Sequence, residues 1–179
     1  MLKKILIYNS GGGLGDAIQL FPLILSLKNH FKSGHFYYLG AHENHFLNKL
    51  KDFNVNIKTL DLGLKYFGFR WWHLFKAKSR FFELNLEKFD LIIDLQSKLR
   101  NTLILKRIPS VNFYSSTFNY NFCSLKKDYL SNNNISQKTI LNLEKLLDVN
   151  IKKVDFSLDN LNQIYINEAK KLLPGSNYI

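Results

Sequence analysis

Two short stretches hold the residue types that could do chemistry. The first is Ser10-Gly11-Gly12-Gly13-Leu14-Gly15-Asp16, four glycines within five residues and then a carboxylate. Glycines let the backbone turn sharply and leave its N–H groups uncovered, which makes Gly12, Gly13 and Gly15 candidate backbone contacts for a ligand. Asp16 stands where a helix N-cap or first-turn acid belongs. It is either a structural cap or an acid facing a ligand that is not a phosphate, such as a hydroxyl to be deprotonated. A phosphate on the same N–H groups would be repelled by that carboxylate. The loop also fits neither familiar phosphate-binding pattern. Counted from Gly11 and Gly13, the sixth position of Gly-x-Gly-x-x-Gly is Asp16, and the run ends Gly15-Asp16-Ala17 where a Walker loop needs Gly-Lys-Ser/Thr.

The second stretch is Gln96-Ser97-Lys98-Leu99-Arg100-Asn101, polar and basic, directly after the most apolar strand in the chain. Between the two lies Leu62 to Phe75, where Phe69-Arg70-Trp71-Trp72-His73 breaks any clean period and aromatics mix with Lys65, Arg70, Lys76, Lys78 and Arg80. That mixture fits a lid or a face for a lipid-linked or anionic acceptor, since Trp and Tyr suit apolar–polar boundaries. It equally fits a loop whose aromatics tuck into the core.

The elements that must position these residues are set by hydrophobic spacing. Ile5-Leu6-Ile7-Tyr8 is a short apolar run bounded by turn formers, which predicts a buried strand. Ala17 to Phe31 carries apolar residues at three- and four-residue steps, among them Ile18, Phe21 and Leu25, and predicts one amphipathic helix. His35 to Leu39 predicts a second strand, Glu43 to Leu50 a short helix with Phe46, Leu47 and Leu50 inward, and Val55 to Leu60 a third strand. A helix over Phe81 to Leu86 ends at Lys88-Phe89. Asp90 to Leu95 then reads as a central parallel strand, followed by a helix from Thr102 to Lys106 and a strand over Val111 to Tyr114. Ser115 to Asn134 reads as a loop anchored by aromatics, Gln137 to Leu147 as an amphipathic helix, Asp155 to Leu158 as a last strand and Asn160 to Leu173 as a last helix. Strands alternating with helices predict an α/β fold, a doubly wound, mostly parallel Rossmann-like sheet whose ligands sit at its carboxyl edge.

Composition narrows the class. The 179 residues suffice for one domain. A single cysteine, Cys123, permits no internal disulfide. The histidines at 30, 35, 42, 45 and 73 show no metal-ligand spacing with acids. Lys3-Lys4 precedes only a short apolar stretch, so the start is no secretory signal, and no apolar stretch approaches the roughly twenty residues that span a bilayer. Net charge is +11, and Lys58 to Arg107 holds 11 basic against 5 acidic residues. An anionic partner fits that balance. Nucleic acid is disfavoured, because no RNA- or DNA-binding motif accompanies the charge.

Three stretches together resemble the N-terminal half of the heptosyltransferases, glycosyltransferase family 9, which build the inner core of lipopolysaccharide. Gly15-Asp16, then Pro22 and the helix to Phe31, is similar to the family's opening. Phe89-Asp90-Leu91-Ile92-Ile93-Asp94-Leu95-Gln96, then Leu99-Arg100, resembles its aromatic-Asp-apolar-Ile-Asp-x-Gln strand and basic turn. Leu172-Leu173-Pro174 before a new strand resembles its crossing into the second domain. The resemblance implies a GT-B enzyme of two facing doubly wound domains. Residues 1–173 would be the acceptor-side domain and 174–179 the start of a linker to a second domain that holds the nucleotide sugar, typically ADP-heptose. It implies no metal or other cofactor, a general-base role for Asp16, and inversion in a single displacement. It also implies acceptor contacts from Gly12, Gly13, Gly15, Gln96, Lys98 and Arg100, with Arg70 matching a basic-aromatic region by position only. Ser97 departs from the family, standing where a glycine is common, as does Asn101, where a serine is.

These readings combine into an expectation: the acceptor-binding half of an inverting glycosyltransferase. Its partners would be a nucleotide-sugar donor and an anionic glycolipid acceptor, with peripheral contact at the inner, cytoplasmic face of the membrane. Alone, residues 1–179 are expected to be inactive. The alternative is a stand-alone Rossmann-like module that binds a nucleotide or anionic glycolipid without catalysis.

Overall fold

Strand β1 (Lys4–Tyr8) is the centre of the sheet, with Ile5, Leu6, Ile7 and Tyr8 fully buried. Its side chains alternate between two cores. Ile5 and Ile7 join Leu23, Ile24 and Leu27 of α2 (Phe21–His30) and Ile140, Leu143 and Leu146 of α5 (Ile135–Leu147). Leu6 and Tyr8 join Ala77 and Phe81 of α3 (His73–Glu83) and Ile104 and Leu105 of α4 (Leu99–Leu105). A strand covered on both faces must be apolar at every position, which is why this one reads as a continuous run.

The computed structural model describes residues 2–11, 13–40, 44–53, 55–131, 135–154 and 163–172. Within them β2 (His35–Leu39), β3 (Lys58–Thr59), β4 (Phe89–Asp94) and β5 (Ser110–Ser115) complete a parallel sheet in the order β3-β2-β1-β4-β5. The order reverses between β1 and β4, where Tyr8 is registered on Asp94. Doubly wound sheets open a ligand crevice at such a reversal, outside the carboxyl ends of the strands. The expected fold class is therefore observed. The remaining helices are α1 (Leu14–Ile18) and α6 (Gln163–Leu172).

Several boundaries differ from the expectations. The predicted helix Ala17 to Phe31 is two helices, α1 and α2, separated at Gln19-Leu20. Pro22 lies in the first turn of α2, where a missing N–H costs nothing, whereas in mid-helix its ring would clash with the carbonyl of Ile18. Glu43 to Leu50 is not a helix where it is described: residues 45–50 form turns, and Lys51–Phe53 one 3-10 turn. The Asn44 side chain accepts the Phe46 N–H at 3.1 Å, a local turn bond that competes with helix. Phe46 and Leu50 do point inward, but Leu47 is half exposed. Only Lys58–Thr59 of the predicted third strand pairs, while Val55, Ile57 and Leu60 are buried as side chains. Helix α3 starts at His73, inside the stretch read as aperiodic, and ends at Glu83; α4 starts three residues before Thr102. The strand expected over Asp155 to Leu158, Glu43, the starting residues of the last helix and the 174–179 linker lie outside the described residues.

The carboxyl end of β4 is clamped by Asp94, a carboxylate with no solvent exposure. Its Oδ2 accepts hydrogen bonds from the hydroxyls of Thr102 on α4 (2.5 Å) and Ser115 on β5 (2.9 Å), and its Oδ1 accepts the Gln96 N–H (3.0 Å). Burial pushes its pKa up, and the bonds from Thr102, Gln96 and Ser115 work the other way without cancelling the rise.

Two outcomes are expected. Ile93 is completely buried in the core of α2 and α5, so Ile93→Ala lowers unfolding free energy by about 2–5 kcal/mol in urea titrations. For Asp94, a native pKa above the unfolded one means its contribution is fullest below about pH 4, where the carboxyl is neutral in both states. That contribution declines as pH rises towards the elevated native value. The stability difference between wild type and Asp94→Asn should thus fall with rising pH; a difference that grows with pH contradicts the assignment.

Candidate functional site

The site is built where the ends of β1 and β4 meet. Beyond Tyr8 the backbone enters Asn9-Ser10, both buried, and Asn9 organises the glycine loop that comes next. Its Oδ1 accepts the Gly11 N–H (3.1 Å) and the Gln96 side-chain amide (2.5 Å), which joins the glycine loop to the turn after β4. The sequence reading missed Asn9. The available signal was an Asn closing a strand before a glycine run, the setting of an Asx turn.

Gly13 is the N-cap of α1, and Asp16 is its third residue. The Asp16 Oδ2 reaches back to accept the Gly13 N–H at 3.3 Å, the acid half of a capping box. The side chain is solvent exposed, and among the described residues Oδ1 has no hydrogen-bond partner. Capping and proton transfer are thus compatible here, one for each oxygen. The Asp16 carboxylate lies against Gly11: a Cβ on Gly11 would stand 2.6 Å from Oδ2 and 2.8 Å from Cγ. Gly11 is therefore the glycine that sets the carboxylate's position. Gly15 is exposed, and outside its own helix backbone and chain neighbours no described heavy atom lies within 4 Å of where its Cβ would be. Gly12 lies outside the described residues.

On the β4 side, Gln96 is half-buried and held at both its backbone and its side chain. Ser97 has φ +53°, the left-handed region in which a glycine is at ease, and its hydroxyl shares a hydrogen bond with Ser116. Lys98 is the exposed N-cap of α4. Arg100 is not simply solvated: its Nε donates to the Gly68 carbonyl at 2.7 Å, and its guanidinium carbon lies 5.9 Å from the Phe69 ring centroid. Its terminal nitrogens have no hydrogen-bond partner among the described residues, which leaves the bidentate edge open to an anion.

Gly68 is where the aromatic loop meets the sheet. At φ +87°, a Cβ there would stand 2.2 Å from the Tyr8 hydroxyl and 3.1 Å from Asn101 Cγ. The Tyr8 hydroxyl donates to the Phe67 carbonyl (3.1 Å), and the Gly68 N–H donates to His73 Nδ1 (3.2 Å). That bond places the neutral His73 proton on Nε2, which is buried without a partner among the described residues, as is Asn101 Oδ1. Burial and the nearby Arg70 and Arg100 lower the His73 pKa. Arg70 is itself exposed, close enough to His73 for its charge to be felt there, and among the described residues it has no bond to the glycine loop. Of the two readings of this stretch, aromatics tucked into the core holds for Phe67 alone; Tyr66, Phe69, Trp71, Trp72 and Phe75 stay exposed.

A recess of about 400 Å³ opens at the ends of β2 and β3. Gly40, Asn44, Asp61, Lys65 and Tyr66 line it, and Gly40 backs onto the Asn9 carbonyl. Tyr38, in the core on the other face of β2, donates its hydroxyl to Asn9 O (3.3 Å); burial and the charge of Asp16 push its pKa up to about 12. The site thus offers an exposed carboxylate on one side of the β1–β4 reversal, cations on the other, and a recess alongside. Among the described residues no group of three His, Cys, Asp or Glu side chains is placed to hold a metal ion.

No protein-family model matches the chain, and no curated protein matches it in sequence. Solved structures do match in fold. The heptosyltransferase WaaC of E. coli, solved with ADP-2-deoxy-2-fluoro heptose, superposes with a TM-score of 0.59 at 14% identity over 85% of this chain. The same enzyme with ADP gives 0.58 at 12% identity, again over 85%. A glycosyl transferase family 9 protein from Veillonella parvula gives 0.56 at 17% identity over 94% of the chain. This chain spans about half the length of each: 50% of the first two and 48% of the third. It has the doubly wound fold found in one half of these glycosyltransferases.

Proposed function

We propose that this chain is the acceptor-binding half of an inverting glycosyltransferase, related to the heptosyltransferases, that transfers a sugar from a nucleotide-sugar donor to a lipopolysaccharide core or similar anionic glycolipid. ADP-heptose is the donor we favour, because WaaC, whose half-chain this fold matches, was solved with an ADP-heptose analogue and with ADP. The observation that carries the reading is Asp16. In a fold matched over most of its length to half of such an enzyme, it is an exposed carboxylate held at the carboxyl edge by its own helix cap.

On this reading Asp16 takes the proton of an acceptor hydroxyl while that oxygen attacks the anomeric carbon of the donor sugar. The bond from that carbon to the nucleoside diphosphate breaks in the same displacement, so configuration inverts and the diphosphate leaves with the bonding electrons. Arg100, Lys98 and Arg70 bind anionic groups of the acceptor. Gln96 and the N–H groups of Gly12, Gly13 and Gly15 orient its hydroxyls. The donor belongs to the partner domain of the full-length enzyme, the reaction occurs at the cytoplasmic face of the membrane, and residues 1–179 alone do not turn over. Among the described residues no helix is long and apolar enough to cross a membrane.

Two variants of the full-length protein test this. Asp16→Asn keeps an oxygen to accept the Gly13 N–H but removes the base. Transfer should fall by about 10²–10⁴-fold with acceptor affinity within a few-fold of wild type; unchanged turnover removes Asp16 from the role. Gly11→Ala pushes the carboxylate out of place without touching the core. It should lower kcat by roughly tenfold or more while KM changes little. If, instead, residues 1–179 alone bind nucleotide in calorimetry, the binding-module reading replaces this one.

A further inference from the structure

Helix α3 buries one stripe and exposes another of unusual chemistry. His73, Ala77 and Phe81, spaced by four, are the buried stripe, each with no solvent exposure. Trp71, Phe75, Lys78 and Phe82 follow one another at steps of four, three and four, and so share a second face of the helix and its lead-in turn. That face is exposed: 54% for Trp71, 78% for Phe75 and 53% for Phe82. Three large aromatics in line on the surface of a folded domain call for a partner.

The charges choose which. From Leu62 to Phe82 there is no acidic residue, while Lys65, Arg70, Lys76, Lys78 and Arg80 are all exposed. The cations are threaded among the rings. Lys76 Nζ lies 5.4 Å from the Trp72 centroid, and Lys78 Nζ lies 5.9 Å from the Phe82 centroid. Stems that run along aromatic faces with ammonium groups at their ends match the depth profile of a lipid headgroup region, rings at the acyl boundary and cations at the phosphates. Protein–protein interfaces share the aromatic enrichment but are depleted of lysine. Arg80 alone has an acidic partner, Glu83 at 2.7 Å, among these five cations as described.

We propose that the Trp71–Phe75–Lys78–Phe82 face of α3, with Trp72 and Lys76 beside it, docks on the surface of an anionic phospholipid bilayer. The proposal deepens the glycolipid reading above and rests on it only for what the docking is for. Through Gly68 the same segment is pinned to Arg100 and Tyr8, so a bilayer held at this face presents its headgroups beside the carboxyl edge. A lipid-anchored acceptor would then meet Asp16 without leaving the membrane.

The test is partition of the full-length protein onto vesicles carrying neither acceptor nor nucleotide sugar. Vesicles of phosphatidylethanolamine with phosphatidylglycerol are compared with phosphatidylcholine alone. The protein should float with the anionic vesicles and be released by salt, and the emission of Trp71 and Trp72 should shift to the blue on binding. Two double variants, Lys76→Glu with Lys78→Glu and Phe75→Ser with Phe82→Ser, should each weaken partition by roughly tenfold or more. Their side chains are exposed, and circular dichroism confirms that each remains folded. Equal binding to neutral vesicles, no binding by wild type, or wild-type partition in both variants overturns the proposal. So does a dimer in light scattering that Phe75→Ser with Phe82→Ser dissociates, since the occupant is then a second copy. A wild-type protein that transfers to a lipid-free acceptor but does not partition sinks the docking alone, whereas partition without any transfer sinks the transferase reading alone.

Discussion

A carboxylate taken wholly out of water has to be met by donors, and the carboxyl edge of this sheet is arranged around that demand. Asp94 draws the Thr102 hydroxyl from α4, the Ser115 hydroxyl from β5 and the Gln96 N–H from the turn between β4 and α4. Thr117 extends the network, bonding Thr102 at 2.7 Å and Ser115 at 3.0 Å. The turn after β4, helix α4 and strand β5 are thereby held at one place. A buried acid with one donor removed is far costlier than a missing surface bond, which makes the cluster act as a unit. Its consequence is positional: with Gln96 fixed at its backbone, the Gln96 side chain reaches Asn9 across the β1–β4 reversal, and the glycine loop is anchored in turn through Gly11.

The aromatic segment is tied to this edge by a second set of contacts that depends on one residue lacking a side chain. Tyr8, Asn101, His73 and Arg100 all converge on Gly68 or its neighbour Phe67. Any side chain at position 68 would displace the Tyr8 hydroxyl or the Asn101 amide, and the positive φ disfavours one independently. Two polar atoms, His73 Nε2 and Asn101 Oδ1, remain buried there without partners among the described residues, a cost borne within a few residues of the Arg100 guanidinium. Unsatisfied buried groups concentrate where structure serves something other than stability.

How much of this was legible depends on whether a feature is local. Strands β1 and β4 announce themselves because burial on both faces forces apolar runs, and β2 and β5 through their short aromatic segments. Strand β3 was overread because alternation in Val55 to Leu60 reports side-chain burial, not ladder hydrogen bonds. The α1–α2 break was invisible to hydrophobic spacing, which continues across it; Pro22 held the signal, and its place in a first turn rather than mid-helix was the point to read. Asp16 was legible because capping is a three-residue affair, as were Gln96, Lys98 and Arg100 from their position after the strongest strand. The glycine preferred at position 97 in the resembling family also acquires a cause in the φ of Ser97. Asn9 and Gly68 were not legible, because their partners Gln96 and Arg100 lie tens of residues away in the chain, and the clamp on Asp94 was hidden because Thr102 and Ser115 meet it only once α4 and β5 are packed.

Cap and base are usually treated as rival explanations of an acid at a helix start, but on the proposed reading the geometry of α1 lets the first serve the second. Binding Oδ2 to the Gly13 N–H restricts the Asp16 rotamer, and the missing side chain of Gly11 leaves room for the carboxylate in that placement. A base fixed before substrate arrives loses no rotamer freedom during reaction. The cations on the other side of the reversal run against their own helix, since Lys98 and Arg100 crowd the N-terminal end of α4, where the dipole favours acids. Arg100 offsets part of that cost by donating to the Gly68 carbonyl, which spends one nitrogen and holds the rest of the fork in place. An acid on its favoured helix end and cations on a disfavoured one, at the two strand ends that meet at the β1–β4 reversal, fit the proposed acceptor with its reactive hydroxyl and anionic neighbours. Helix stability alone explains the first placement and not the second.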